Sequence, residues 1–271
     1  MRAYSENARR EGKRVGFVPT MGALHAGHMS LVDYARSACD ALVVSIFVNP
    51  LQFDRADDLD GYPRTWQADL DMCAAHGVDV VYYPTADLMY PQGFQTKVSL
   101  GPMTQGLCGA HRPGHFDGVT TVVLKLFNAV QPHLAAFGEK DYQQLAVIKR
   151  MVRDLDLGVE VMGRPTVREK DGLALSSRNV RLSPQEREEA LCLWRGLNQA
   201  REMARGGKKK ASRLKIAAEA EIKAVASARL EYLEIVAADD LTPLEVLDRP
   251  ARMAMAVWVG GTRLIDNAPL D

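Results

Sequence analysis

The chain has few cysteines, no net charge and no long apolar run, and each of these absences excludes a class of protein. The cysteines Cys39, Cys73, Cys108 and Cys192 lack the paired spacing of zinc or redox sites, which fits free thiols in a reducing compartment. The 34 basic residues balance 34 acidic ones, so the overall charge favours neither nucleic acid nor a membrane surface as a partner. No apolar run approaches the length of a membrane span, and residues 1–7 are polar, unlike a signal peptide. We therefore expect a cytoplasmic protein.

Apolar runs alternate with helical patterns over the first 165 residues or so, and this alternation predicts the fold class. Short apolar strands separated by amphipathic helices are typical of a parallel sheet covered on both faces. The strand-like runs are Val15–Val18, Ala41–Val48, Val78–Tyr83, His133–Phe137 and Val159–Met162; the helical stretches are Gly27–Cys39, Arg64–His76, Gly118–Val130 and Asp141–Leu155. We predict an α/β domain over residues 1–166, with a doubly wound parallel (Rossmann-like) sheet whose ligands bind beyond the carboxyl ends of the strands.

After Pro165 the pattern changes to helices followed by strands. Ser183–Glu186 combines a capping box with proline at the first helical position, which predicts a long helix toward Arg205. The later elements are a helix at Ala211–Ser227 and strands at Leu230–Val236, Met253–Val259 and Thr262–Ile265, the last two joined at Gly260-Gly261. The sequence therefore predicts a smaller α+β C-terminal domain over residues 167–271.

The most informative segment, Pro19–His28, lies where the first predicted strand turns into a helix. Its glycines let the backbone approach a ligand closely, and the N–H groups of a helix start favour an anion. His25 and His28 are three residues apart and can face one phosphate, as hydrogen-bond donors or as partial positive charge. Glycines or a histidine alone are common in structural turns. Their combination after a clear strand predicts ATP binding with chemistry at a phosphate.

A second glycine turn, Gly138–Asp141, follows the fourth predicted strand. Lys140 stands at a helix start, where a cation is unfavourable unless an anion binds nearby, so this turn also predicts a phosphate. The alternative is that Asp141 caps the helix and Lys140 points into solvent. A third loop contains Ser176, Ser177 and Arg178, which suit a clamp on phosphate oxygens or an ordinary polar loop.

Other polar groups lie in loops that can reach the same sheet edge. Asn49 and Gln52 follow the second predicted strand and suit the hydroxyl or carboxylate groups of a small substrate, or simple turn chemistry. Arg112 and His115 are further candidates for contact with an anion. The acidic stretch Asp54–Gly61 is expected to be mobile, as a lid that excludes water.

These motifs resemble the pantothenate synthetase (pantoate–β-alanine ligase) family, within the nucleotidyltransferase superfamily that carries the His-x-Gly-His signature. The resemblance runs from about Lys13 to Asn267 and rests on blocks at residues 19–28, 48–53, 112–116, 138–144 and 172–179. It implies a ligase that condenses pantoate with β-alanine, using ATP, to give pantothenate, AMP and pyrophosphate through a pantoyl adenylate. Pantothenate is a precursor in coenzyme A synthesis, and the family implies a homodimer.

The resemblance also implies roles for single residues. His28 is the implied proton donor, His25 its companion on the phosphates, and Gln52 and Gln144 hold pantoate. The implied ATP contacts are Met21, Gly22, Ala23, Leu24, His25, Ala26, Gly27, His28, Gly138, Glu139, Lys140, Asp141, Val167, Leu175, Ser176, Ser177 and Arg178. With the two histidines, Lys140 and Arg178 form the implied catalytic set, which supplies charge and donors without a nucleophile.

Mg²⁺ bridging the phosphates is expected, but we assign it no protein ligand, since Ala68-Asp69 stands where some family members have adjacent acids. The family's leading strand and fuller first helix are expected to be short or absent. Another nucleotidyltransferase is the main alternative; it needs a basic pocket in place of Gln52 and Gln144. A nucleotide sensor without activity is disfavoured by the two histidines, Lys140 and Arg178.

Overall fold

The computed structural model describes residues 1–270, which form two compact units. The first unit contains residues 1–101, 112–139 and 147–165; the second contains residues 102–111, 140–146 and the described residues from Thr166 onward. The predicted domains, 1–166 and 167–271, stay a prediction. The units differ from them in two segments, 102–111 and 140–146, which precede Pro165 and belong to the second unit.

The elements follow one another along the described chain as short helices and strands. The helices are α1 (Arg2–Arg10), α2 (Ala26–Ser37), α3 (Ala56–Asp60), α4 (Trp66–Ala75), α5 (Ala86–Met89), α6 (Cys108–His111), α7 (His115–Val130), α8 (Tyr142–Asp154), α9 (Pro184–Glu189), α10 (Leu191–Arg205) and α11 (Ala211–Lys223). The strands are β1 (Val15–Thr20), β2 (Ala41–Ile46), β3 (Val80–Tyr82), β4 (Leu134–Gly138), β5 (Glu160–Arg164), β6 (Ala228–Ala237), β7 (Ala251–Val259) and β8 (Thr262–Pro269). Short 3₁₀ turns cover Pro50–Gln52, Pro102–Thr104, Glu139–Asp141 and Ser177–Arg181.

The first unit is built on a five-stranded parallel sheet in the order β3-β2-β1-β4-β5. Its faces are covered by different helices, since Val18 of β1 packs with Met29 of α2, whereas neighbouring Phe17 packs edge-on against Phe127 of α7. The predicted α/β class is thereby confirmed. The strand order reverses between β1 and β4, and ligands of such sheets bind beyond the carboxyl ends at this switch point.

The second unit contains the antiparallel sheet β6-β7-β8 and the helices α9, α10 and α11. Leu197 and Leu214 of α10 and α11 are fully buried with Met253 and Met255 of β7 in one apolar cluster. The predicted smaller α+β domain type is confirmed by this arrangement. The capping box of Ser183 and Glu186 forms, with reciprocal hydrogen bonds of 3.3 and 2.8 Å.

Two helices differ from the sequence prediction. The single helix predicted from Ser183 to Arg205 is divided at Ala190 into α9 and α10, without a glycine or proline to signal the division. At the N-terminus, where little helix was expected, α1 spans nine residues. Only Ser5 and Ala8 of α1 are buried, so its apolar pattern is too sparse to predict it. None of the helices in residues 1–270 is both long and apolar enough to cross a membrane.

Candidate active site

The two signature histidines form the beginning of α2, directly after the turn that follows β1. His25 is the N-cap residue, and its Nδ1 accepts a hydrogen bond from the Gly27 N–H at 3.1 Å. His28 Nδ1 in turn accepts from the His25 N–H at 3.3 Å, and the two ring centroids are 4.1 Å apart. Because each Nδ1 is an acceptor, the proton of each neutral ring lies on Nε2. The pair therefore presents two Nε2–H donors at the positive end of a helix.

A buried carboxylate fixes the turn that leads to this pair. Asp69 of α4 is 2% exposed, and its oxygens accept from the Ala23 N–H at 3.0 Å and the Leu24 N–H at 2.8 Å. The Thr65 hydroxyl donates to the same carboxylate at 3.0 Å. The turn needs Gly22, which has φ +83°, and a Cβ there would lie 3.0 Å from Asp69 Oδ2. The Asp69 side chain therefore holds the turn before the histidines in place, by accepting hydrogen bonds from the backbone of that turn.

Sequence reasoning did not assign this role to Asp69, although a signal was present. Within the predicted helix Arg64–His76, Asp69 lies four residues before Cys73, so the two share one helix face. Both are buried in the structure. An acid on the buried face of a helix requires hydrogen-bond donors, and here the donors are the N–H groups of the turn.

The amides of Asn49 and Gln52 are buried just beyond β2, at 1% and 9% exposure. Asn49 caps the 3₁₀ turn by accepting from the Leu51 N–H, which agrees with turn chemistry, but its amide also donates to Gln52 Oε1 at 3.0 Å. Gln52 Nε2 is 3.0 Å from Met21 Sδ. The structure thus brings Gln52 next to Met21 of the segment Pro19–His28.

Arg112 and His115, the further candidates for an anion, both contact the backbone at Gln52. Arg112 Nη2 donates to the Gln52 carbonyl at 3.0 Å, and His115 Nδ1 lies 2.7 Å from the same oxygen. Arg112 also pairs with Asp54 at 2.9 Å. Burial raises the pKa of Asp54, but the Arg112 hydrogen bond and charge outweigh it and hold this pKa below its usual value. Both side chains thereby help to hold Gln52 in place.

The stretch Asp54–Gly61, expected to be a mobile loop, contains α3 and an Arg55–Asp57 ion pair. Its closing as a lid stays a prediction.

The second glycine turn begins at the carboxyl end of β4, the strand that pairs with β1. Gly138 therefore ends the strand adjacent to the one that leads to the histidines, and Glu139 follows it. Glu139–Asp141 form a 3₁₀ turn, and α8 starts at Tyr142, one residue later than predicted. The half-buried Lys140 belongs to the second unit, where the Asn267 side-chain amide donates to its carbonyl at 2.8 Å.

The two adjacent glutamines of α8 have different surroundings. Gln143 is buried and holds the preceding segment of the second unit, since its Nε2 donates to the carbonyls of Met103 and Gly106 at 3.0 and 2.9 Å. Its Oε1 accepts from the Cys108 N–H at 3.0 Å. Gln144 is half-buried. Because the amide of Gln143 is bound to the backbone, Gln144 is the one of the two that remains a candidate for binding a ligand.

The third predicted segment is anchored within the second unit by buried charges. Leu175 N–H donates to the Val167 carbonyl at 3.0 Å. Between them, Arg168 donates to the Gly172 carbonyl at 3.0 Å and makes two hydrogen bonds to Asp266, at 2.6 and 2.8 Å. Ser176 Oγ then accepts from the Arg178 N–H at 3.2 Å, which starts the 3₁₀ turn containing Ser177 and Arg178. Arg168 and Asp266 are further residues that sequence reasoning missed.

The predicted site residues are divided between the two units. The first unit holds residues 21–28, Gln52, Gly138 and Glu139; the second holds Lys140, Asp141, Gln144, Val167 and residues 175–178. Within residues 1–270, no group of three or more histidine, cysteine or acidic side chains is arranged to hold a metal ion.

Comparison with known proteins identifies the family. The model of the pantoate-beta-alanine ligase family matches residues 1–269. The pantothenate synthetase of Desulfatibacillum aliphaticivorans is 52% identical over 271 residues, covering 100% of this chain and 96% of the relative. That of Geobacter sulfurreducens is 51% identical over 270 residues, covering 100% and 95%.

Solved structures agree with this assignment. The crystal structure of the pantothenate synthetase from Thermus thermophilus has a TM-score of 0.91 and 51% identity, covering 94% of this chain and 92% of that one. The pantoate-beta-alanine ligase from Francisella tularensis, solved with beta-gamma ATP and beta-alanine, has a TM-score of 0.81 and 34% identity, covering 98% and 94%. The chain described here therefore belongs to the pantoate-beta-alanine ligase family.

Proposed function

We propose that this chain forms pantothenate from pantoate and β-alanine with ATP, in two steps. In the first step, a pantoate carboxylate oxygen attacks the α-phosphorus of ATP, and the bond to pyrophosphate breaks, which gives pantoyl adenylate. In the second step, the β-alanine amine attacks the acyl carbon, loses a proton and displaces AMP. The observation that supports this chemistry most is the His25–His28 pair at the start of α2, in a chain that matches the family over residues 1–269.

The histidines serve this reaction through their ring N–H groups. Adenylyl transfer needs stabilisation of the charge around phosphorus more than it needs a nucleophile. His25 and His28 offer Nε2–H groups because their Nδ1 atoms are held by backbone N–H groups. His28 is the proposed proton donor, and Lys140 and Arg178 are the proposed sources of positive charge.

The proposed ATP contacts are the segments that carry these groups: residues 21–28, 138–141, Val167 and 175–178. The proposed pantoate contacts are Gln52 and Gln144, and Gln52 also lies near β-alanine. Neutral amides suit the hydroxyl and carboxylate oxygens of pantoate without adding charge.

Mg²⁺ belongs to this proposal only as the counter-ion of the ATP phosphates. The residues 1–270 provide no cluster of ligating side chains, and the Asp69 carboxylate is occupied by backbone and hydroxyl donors. The described residues therefore offer no side-chain cluster that fits a resident metal ion.

We also propose that the enzyme is a homodimer in the cytoplasm. The four cysteines are free thiols in the structure, as expected in a reducing compartment. Light scattering of the purified protein tests the dimer, and a single species with the mass of one chain contradicts it.

Pyrophosphate exchange into ATP tests the proposed reaction. Labelled pyrophosphate is expected to enter ATP only when pantoate is present and without any need for β-alanine. Exchange that is independent of pantoate indicates another nucleotidyltransferase, and ATP binding without exchange indicates a sensor. Lys140→Ala is expected to abolish most of this exchange while the protein remains folded.

A further inference from the structure

A chain of hydrogen bonds runs from Tyr90, next to the end of α5, through Asn49 to Gln52. The Tyr90 hydroxyl lies 2.7 Å from Asn49 Oδ1, and Asn49 Nδ2 lies 3.0 Å from Gln52 Oε1. All three residues belong to the first unit. Tyr90 lies outside the predicted motifs and has no part in the proposed reaction.

Backbone atoms fix the direction of every bond in this chain. The Gly118 carbonyl can only accept, so the NH₂ group of Asn49 lies on its side, at 3.1 Å. The Leu51 N–H can only donate, so Asn49 Oδ1 faces it at 3.3 Å. Tyr90 therefore donates to Asn49, and Asn49 donates to Gln52.

The consequence is that the Gln52 amide is oriented. Its Oε1 is held by Asn49, and its NH₂ group points to Met21 Sδ at 3.0 Å. A thioether sulfur is a weak acceptor, so a ligand oxygen can replace it at little cost. In this orientation Gln52 offers donors, which match the oxygens of a carboxylate or a hydroxyl.

The surroundings of Tyr90 suit a fixed donor. Its ring packs against Phe47 and Phe94, with centroids 6.2 and 5.2 Å away, and Lys125 Nζ lies 6.0 Å from the ring centroid. Burial raises the pKa of Tyr90 well above its ordinary value, so the hydroxyl keeps its proton. The aromatic contacts hold the ring independently of the hydroxyl.

We propose that Tyr90 is a positioning residue for pantoate, which acts through Asn49 to keep the NH₂ group of Gln52 turned toward the substrate. This inference rests on the proposed function, because it takes pantoate as the ligand of Gln52. Tyr90 does not touch the reacting atoms. Tyr90 instead sets the fraction of protein in which the Gln52 amide is correctly oriented. The apparent dissociation constant of pantoate is the intrinsic constant divided by that fraction, so a smaller fraction weakens binding.

The test is a double-mutant cycle with Tyr90→Phe and Gln52→Ala. Tyr90→Phe keeps the ring and removes one hydrogen bond, whose typical net worth of about 1 kcal/mol corresponds to about a fivefold rise in KM for pantoate. KM for ATP and kcat are expected to change less than about twofold. In the Gln52→Ala background, Tyr90→Phe is expected to have no further effect on KM for pantoate, since its target is gone.

A matched control is Tyr83→Phe, which removes the hydroxyl of an exposed tyrosine whose ring contacts Trp66 and is expected to change none of these constants. The inference is overturned if Tyr90→Phe leaves KM for pantoate unchanged, raises KM for ATP equally, or has the same effect with and without Gln52. If the wild type shows no pantoate-dependent exchange, the proposed function itself fails and this inference fails with it.

If Tyr90→Phe does not fold, the contact between Gln52 and pantoate is tested by NMR of the wild type. The side-chain amide signals of Gln52 are identified by their loss in Gln52→Ala, and they are expected to shift when pantoate is added. Signals that do not move overturn the inference.

Discussion

The histidine pair combines a structural and a chemical role in the same two rings. One nitrogen of each ring caps the helix, and the other remains a donor. The His-x-Gly-His spacing therefore provides both the helix cap and two ring N–H groups in one turn.

The two roles can be separated at His28, which occupies the third helical position. Glutamate is a usual residue at that position of a capping box, since its carboxylate accepts from the N-cap N–H, and it has no donor. His28→Glu is expected to keep the stability of the wild type, whereas His28→Ala loses about 1 kcal/mol with the cap. Both variants should lose turnover by about 10²–10³-fold, the cost of a donor that acts in the transition state.

Thermal unfolding and pyrophosphate exchange measure these two effects separately. Activity in His28→Glu close to that of the wild type contradicts the donor role. A large loss of stability in His28→Glu contradicts the capping role.

At the scale of elements, strand β8 anchors two segments of the second unit. Asp266 pairs with Arg168, which reaches the 172–178 loop, and Asn267 donates to the carbonyl of Lys140. The side chains of Asp266 and Arg168 are 3% and 14% exposed. Two proposed nucleotide-binding segments thus depend on adjacent residues of one strand.

Asp266→Ala is expected to destabilise the protein and weaken ATP binding. Removing one partner of a buried ion pair leaves the other charge uncompensated, which costs about 3–5 kcal/mol. KM for ATP should rise more than KM for pantoate, because the loosened segments are those proposed to contact ATP.

The exposed ion pair of Arg195 and Glu221 provides the control for Asp266→Ala. Its side chains are 47% and 38% exposed, so Glu221→Gln should cost less than about 1 kcal/mol. Chemical unfolding measures the loss of stability in Asp266→Ala and in Glu221→Gln, and steady-state kinetics measures KM for ATP in both variants. An equal loss of unfolding free energy in the two variants contradicts the anchoring role of Asp266.

The elements also show where prediction from sequence succeeds. Apolar runs such as Val15–Val18 are buried on both sheet faces, so their pattern is continuous and strands β1 and β2 are predicted at the right place. Helix α1 is amphipathic with only Ser5 and Ala8 buried, and it carries too few apolar residues to be recognised. The division at Ala190 depends on tertiary packing, for which the local sequence has no signal.

The predictable part of the site is the part whose chemistry depends on local sequence. His25 and His28 are found from their spacing at a strand-to-helix turn, whereas Asp69 and Tyr90 reach their partners from 45 and 41 residues away. Such long-range partners become visible only when the fold brings them together. The role of each residue toward ATP and pantoate stays a prediction.

For the whole molecule, stability at low pH depends on carboxylates held by buried cations. Burial raises the pKa of Glu231, but hydrogen bonds from Arg263 and Trp258 outweigh it and lower this pKa below the ordinary 4.5. A carboxylate with a lowered pKa contributes stability above its unfolded value and loses it as pH falls through the folded value. The free energy of unfolding is therefore expected to fall as the pH drops below about 4.5.

Glu231→Gln tests this contribution. The variant is expected to be less stable than the wild type at pH 7, because Arg263 loses its partner, and to lose less stability between pH 5 and pH 3. Chemical unfolding at a series of pH values measures the difference. An unchanged slope on the acid side contradicts the assignment to Glu231.

The proposed reaction begins with the attack of the pantoate carboxylate on the α-phosphorus of ATP. Transfer of heavy oxygen tests it most directly, with pantoate labelled by ¹⁸O in its carboxylate and turned over with ATP and β-alanine. Mass spectrometry should then find one ¹⁸O atom in AMP and none in pyrophosphate. Unlabelled AMP, or label in inorganic phosphate together with ADP, would contradict the account.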